Sequence, residues 1–124
     1  MQVRLENVTL ARFLTVLIVL LANDGLWFRY SLHRVYTQID RSQVRLRYGV
    51  GAWCLLALAI SAAASTKTRK EALSWGAAVG LVCYGVFNST ELAIRSDWTV
   101  RTALADTLWG IFSCCAAAGL LVDV

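Results

Sequence analysis

Apolar residues run along this chain in four long blocks, Leu10 to Tyr30, Tyr48 to Ser65, Ala72 to Ile94 and Thr99 to Val122, with polar segments between them. Each block approaches the roughly 20 residues that an α-helix needs to cross ~30 Å of hydrocarbon, so the pattern predicts four membrane-spanning helices. Two of the links, Thr66 to Glu71 and Arg95 to Trp98, are short. Short links join antiparallel neighbours, which makes the predicted fold all-α: a membrane-embedded four-helix bundle, up-down-up-down, in one domain over 1–124. The link over 31–47 is longer. Its polar His33, Arg34, Gln38, Arg41 and Arg45 and its apolar Leu32, Val35, Ile39 and Leu46 predict an interfacial helix continuing from the first span, apolar side toward lipid.

Composition excludes the soluble alternative. Of 124 residues, 58% are hydrophobic, none is Pro, and 16% are charged against about 25% in ordinary soluble domains. Mean hydropathy is +0.58. The first block also resembles a signal peptide, because Arg4 and Arg12 come before the apolar run Phe13 to Ala22. That run continues into Asn23-Asp24-Gly25-Leu26-Trp27 with no small-x-small cleavage site, and is therefore read as a membrane helix.

The formal charge of +4 comes from Lys and Arg between the blocks, where a membrane protein meets headgroups. Arg29, Arg34, Arg41, Arg45 and Arg47 form a dense group with no interleaved stacking platform, so it reads as a membrane-surface patch and not a nucleic-acid site. The balance of basic residues, five on one side and seven on the other, places both termini outside or in a lumen. All four cysteines lie inside apolar blocks without zinc-type spacing, and His33 stands alone, so neither a metal site nor a cofactor is expected. Asn7-Val8-Thr9 and Asn88-Ser89-Thr90 match a glycosylation sequon, but the first adjoins the membrane and the second lies within a predicted span.

Chemistry is concentrated in one leaflet. Asp24, Glu91 and Asp106 lie inside the spans, where a charged side chain costs about 2.5–3.5 kcal/mol on insertion scales and needs a partner. Counting ~1.5 Å per residue from the helix ends puts all three within roughly 10 Å of the same face of the bilayer. Asn88 and Thr90 fall in that layer, together with Trp27, Trp53, Trp98 and Trp109, of which the first three also fit an interfacial belt. The pattern Asp-x-Leu-Trp occurs twice, as Asp24 to Trp27 and Asp106 to Trp109, and i,i+3 spacing sets each acid beside an indole N–H on its own helix. The expected site is an interhelical network of Asp24, Trp27, Asn88, Thr90, Glu91, Asp106 and Trp109. No Ser-His or Cys-His pair or phosphate loop accompanies it, so catalysis is not expected. Gly76 and Gly80 form a small-xxx-small face, and Gly110 with Cys114 and Ala118 a second one, both suited to close helix approach.

These residues carry a resemblance. Asp24-Gly25-Leu26-Trp27, Tyr84 to Ala93 followed by Asp97-Trp98, and Ala105-Asp106-Thr107-Leu108-Trp109-Gly110 resemble the small membrane proteins classed as domain of unknown function 2177. The likeness covers nearly the whole chain. Where that family has Tyr-Asp-x-Thr-Asn-Leu, this chain has Phe87-Asn88-Ser89-Thr90-Glu91-Leu92, with acid and amide exchanged between positions 88 and 91. The resemblance implies a four-helix membrane protein, supplies no activity, and marks Asp24, Trp27, Thr90, Asp106, Trp109 and Gly110 as pattern positions. Relatives of this kind occur in bacteria, some eukaryotes and large DNA viruses with an internal membrane.

With almost no extramembrane mass, the chain is expected to be a structural or accessory subunit. Its partners would be the bilayer and other subunits of a larger assembly, such as an internal-membrane virion or a respiratory or photosynthetic supercomplex. The basic link and the glycines of the third helix would be its contact surfaces. The alternative is a small proton- or ion-linked transporter using the buried acids. A lipid enzyme would need a groove open to one leaflet beside them.

Overall fold

A computed structural model describes residues 5–64 and 68–124 of the chain. It contains four long helices: α1 (Leu10–Ser31), α2 (Leu46–Ala63), α3 (Arg69–Ile94) and α4 (Val100–Leu120). Single 3₁₀ turns occupy Leu5–Asn7, Arg41–Gln43 and Leu121–Asp123. All four long helices are apolar enough and long enough to cross a membrane, and the described residues contain no strand. The protein is an integral, multi-pass membrane protein with an all-α bundle. The expected end of the second span at Ser65, and the basic residues Arg4 and Lys67, lie outside the described residues.

Helix starts follow local hydrogen bonding. Thr9, Thr68 and Thr99 each accept from the backbone N–H three residues on, at 3.2, 3.3 and 3.1 Å, satisfying one of the orphan donors of a first turn. Thr68 carries α3 back to Arg69, ahead of the apolar block that begins at Ala72. In the first turn of α2 no side-chain cap is present, because the N-cap position is Arg45.

Packing inverts the order of a soluble bundle. Leu10, Ile18, Leu26, Leu55, Val82, Leu104 and Leu108 are exposed toward lipid, while Gly76, Gly80, Gly110, Ser113, Ala117 and Ala118 are buried. Lipid tails are as apolar as Leu, so close backbone approach and polar contacts hold the helices together. α3 and α4 approach most closely. A Cβ on Gly76 would stand 2.5 Å from the Cys114 carbonyl oxygen, and one on Gly80 would stand 2.5 Å from that of Gly110. A Cβ on Gly110 would enter the Tyr84 ring. The partner of the glycine face on α3 is therefore α4 of the same chain. That corrects the expectation of an intermolecular surface there.

The opposite end of the bundle is tied by Arg12. Its guanidinium donates to the carbonyls of Ala64 and Leu121, at 3.0 and 3.3 Å. Those two residues cap the C-termini of α2 and α4, where unpaired carbonyls and the helix dipole both favour a cation. Arg69 adds a bond to the Gly119 carbonyl at 3.3 Å and a pair with Asp123 at 2.5 Å. The core between these ends is built from Val16, Leu20, Ala57, Ile60, Cys114, Ala117 and Leu121.

The segment after α1 departs from the expected interfacial helix. Its chain folds back at once, with the Ser31 carbonyl accepting from Arg34, Val35 and Tyr36 at 3.0, 2.7 and 3.1 Å. Tyr36 is buried, and Leu32, Val35 and Ile39 pack around it with Trp98 and Ala103 and do not face lipid. The burial available under the bundle end outweighs the weak propensity for a surface helix. Arg29, Arg34, Arg41, Arg45 and Arg47 do remain on the surface, with Arg34 stacked over Tyr30 and Arg47 over Tyr48.

Two substitutions separate close approach from simple helix propensity. Gly80→Val is expected to destabilise the protein in mild detergent by about 2 kcal/mol or more, because backbone atoms that cannot give way face the new Cβ. Gly85→Ala, with nothing within 4 Å, is expected to be neutral or stabilising by up to ~1 kcal/mol. Thermal unfolding followed by circular dichroism checks both.

Candidate functional site

Asp24 and Asp106 face inward from α1 and α4, 3% and 7% exposed, at the end of the bundle that carries the folded-back segment. Such a group needs a donor for each oxygen, since bilayer hydrocarbon supplies none. Asp24 takes its donors from two indoles, Trp53 at 2.5 Å and Trp109 at 2.7 Å, one on each oxygen. Asp106 takes one from the Tyr36 hydroxyl and one from the Asn88 amide, the latter at 2.7 Å. All four carboxylate oxygens are engaged.

The donors are fixed in turn. Trp27 donates to the Tyr36 hydroxyl at 2.9 Å, and Trp98 donates to the Asn88 carbonyl oxygen at 3.1 Å. Asn88 places its amide between Asp106 and the carbonyl of Tyr84, at 2.9 Å from the latter. Trp27 and Trp109 stack with centroids 4.8 Å apart and planes 8° from parallel. Burial and the neighbouring Asp106 charge push the Tyr36 phenol well above its ordinary pKa, so it remains a donor.

Sequence spacing set each Asp beside the Trp three residues on, and the structure exchanges the partners. Trp109 of α4 serves Asp24 of α1, while Trp27 of α1 serves Asp106 of α4 through Tyr36. The exchange ties α1 to α4 twice. The cluster as a whole takes in four of the five tryptophans, whose N–H groups point into it, so Trp27, Trp53 and Trp98 are not a simple interfacial belt.

Asp24, Trp27, Asn88, Asp106 and Trp109 thus meet in one place. Thr90 and Glu91 do not. Thr90 is exposed and bonds the Val86 carbonyl of its own helix at 2.8 Å. Glu91 pairs with Arg95 at 3.4 Å at the end of α3. On that helix Gly80, Tyr84 and Asn88 face α4; Thr90 rotates away from them, whereas Glu91 keeps near that face but lies almost a turn closer to the helix end, where it meets Arg95.

Tyr36, Trp53 and Trp98 are members that sequence spacing did not select. Tyr36 had no signal beyond being the one tyrosine of a basic link, and its reach into the bundle depends on the fold of that link. Three bonds hold the link in place. Gln38 donates to the Thr102 hydroxyl at 2.8 Å, Thr102 donates to the Val35 carbonyl at 2.9 Å, and Arg95 donates to the Gln38 carbonyl at 3.4 Å. Arg95 also grips Asp97 at 2.8 Å, which holds that carboxyl below the usual range.

Beside the cluster, between α2 and α3 and beneath the link, lies a cavity of about 690 Å³. Ala52, Trp53 and Leu56 line it from α2, and Cys83, Tyr84 and Phe87 from α3. Asp24 and Asp106 border its inner wall, but their oxygens are turned to their donors. The cavity is therefore apolar in character. Among the described residues no group of three His, Cys, Asp or Glu side chains could hold a metal.

Asp106→Leu would strand the Tyr36 hydroxyl and the Asn88 amide, and is expected to cost about 1–3 kcal/mol for each orphaned donor. Asp106→Asn keeps one acceptor and is expected to cost less. Unfolding in mild detergent measures the order, and equal losses would show that the oxygens do not carry the cluster.

No curated protein and no solved structure matches the chain. Residues 9–122 match the family described as Predicted membrane protein (DUF2177). That range takes in all four helices, the folded-back link and every residue of the acid cluster, and the chain belongs to this family.

Proposed function

We propose that the protein is a non-catalytic membrane component that holds a lipid chain in the cavity between α2 and α3. The observation that carries this reading is the shape and lining of the cavity. At about 690 Å³ it falls within the 300–1,000 Å³ of small-ligand sites, and its walls are apolar and aromatic. It runs along α2 from Arg45 to Leu56, about 16 Å at the helical rise, or roughly half of a ~30 Å hydrocarbon core. That depth is one leaflet. The two acids bordering it are saturated, so they act as walls and polar fasteners. An ion crossing by way of Asp24 or Asp106 would have to displace Trp53, Trp109, Tyr36 or Asn88, which weighs against proton- or ion-linked transport.

A place as accessory subunit in a larger assembly draws support from a separate feature, the outer face of α2. Leu55 and Leu58 are exposed there, and Gly51 has open space around its Cα. Lipid covers such a face as readily as another subunit does, so the mass of the particle extracted from its native membrane decides this point.

Native mass spectrometry of the full chain, purified in mild detergent, tests the lipid-holding role. One retained phospholipid-sized ligand is expected. Ala52→Trp, which fills the cavity from α2 and replaces no member of the acid cluster, is expected to lose it while keeping its helical content. A wild-type chain that carries no ligand would overturn the proposal.

A further inference from the structure

The cavity has one chemically distinct end. Where α2 begins, its lining passes from apolar side chains to Arg41 and Arg45, its only two basic residues. Both belong to the folded-back link, at the level of the headgroups, and both are exposed. Their charges are not spent within the described chain. Arg69 is paired with Asp123, and Arg95 with Glu91 and Asp97, whereas the Arg41 guanidinium meets only His33, at 2.9 Å, and the Arg45 guanidinium has no hydrogen-bond or ion-pair partner among the described residues. The nearest acid in sequence, Asp40, accepts from the Ser42 backbone N–H at 3.0 Å and from the Ser42 hydroxyl at 2.7 Å. The first turn of α2 adds backbone donors beside Arg45, with no side-chain cap to take them.

An apolar slot one leaflet deep, closed at its interfacial end by two uncompensated guanidinium groups, has the polarity of a single phospholipid. Chain and headgroup find complementary surfaces in the right order along the membrane normal. We infer that the ligand is an anionic phospholipid, its acyl chain between α2 and α3 and its phosphate at Arg41 and Arg45. This rests on the lipid-holding role proposed above and adds the headgroup class. Guanidinium presents paired N–H donors that match a phosphate, and a lipid with net negative charge retains an attraction that a zwitterionic one cancels.

The full chain in mild detergent, offered equal amounts of phosphatidylglycerol and phosphatidylcholine of the same chain length, tests the inference by native mass spectrometry. Phosphatidylglycerol is expected to exceed phosphatidylcholine about thirtyfold in the retained adduct, given about 1 kcal/mol for each of the two basic residues near an anionic headgroup. The double variant Arg41→Gln/Arg45→Gln is expected to keep one phospholipid and lose the preference. Arg41→Lys/Arg45→Lys is expected to retain most of the preference, which excludes a folding defect as the cause. Equal retention of both lipids by the wild type would overturn the headgroup assignment and leave the lipid-holding role standing. Absence of any phospholipid adduct would overturn both. A phosphate adduct formed from inorganic phosphate in lipid-free detergent, with no lipid preference, would assign the two arginines to a free anion and overturn the phospholipid assignment.

Discussion

A carboxylate inside a bilayer has no water to fall back on, and the rest of this bundle is arranged around supplying two of them with donors. Asp24, on α1, and Asp106, on α4, together recruit side chains from α2, α3 and α4 and from the link between α1 and α2. Three of the donors are indole and phenol groups, each with a large apolar body and one polar atom, and the fourth is the compact amide of Asn88. Such groups can line a hydrocarbon interior and still satisfy an anion. With all four oxygens occupied, the pair fixes the rotation of α1 against α4 and the depth of both. The stacked Trp27 and Trp109 rings then seal the contact between those two helices.

The bundle is uneven because its two kinds of adhesion are unevenly placed. Gly76, Gly80 and Gly110 bring α3 and α4 together with backbone nearly on backbone, which permits no slack. α2 has no comparable seam with α3. It is joined to the bundle by side chains: Trp53 to Asp24 in one half, the Arg12 bridge to Ala64 in the other, and apolar contacts with α1. Between a rigid hairpin and a more distant second helix a gap opens, and aromatic residues on both sides keep it apolar. The cavity is thus a consequence of where the glycines are.

The link from Leu32 to Arg45 gives this gap its roof. It behaves as part of the core at Tyr36 and Ile39 and as headgroup-level surface at Arg41 and Arg45. Gln38, Thr102 and Arg95 anchor its middle. A single segment therefore presents a donor to Asp106 and unpaired positive charge to the end of the cavity. Structural tie and charged rim are connected through fewer than ten residues.

The four spans, their order and the clustering of polar groups in one leaflet were legible in the chain alone, because membrane thickness and the cost of burying charge act on one-dimensional patterns. The small-residue faces were legible for the same reason, since Gly76 and Gly80 recur at helical spacing. Partner choice was not. Helical spacing set Asp24 beside Trp27 and Asp106 beside Trp109, but residues on one helix face share a direction without having to share a bond, and the crossing of α1 and α4 exchanges them. It also drew in Thr90, which sits on the wrong side of α3, and Glu91, which lies nearly a turn beyond Asn88 and pairs with Arg95. Tyr36 was hidden in a link whose periodicity suggested a surface helix, and only the space under the bundle end turns it inward. Depth in the membrane is a property of sequence distance. Azimuth, enclosure and the cavity are properties of how four helices meet, and only the packed structure decides them.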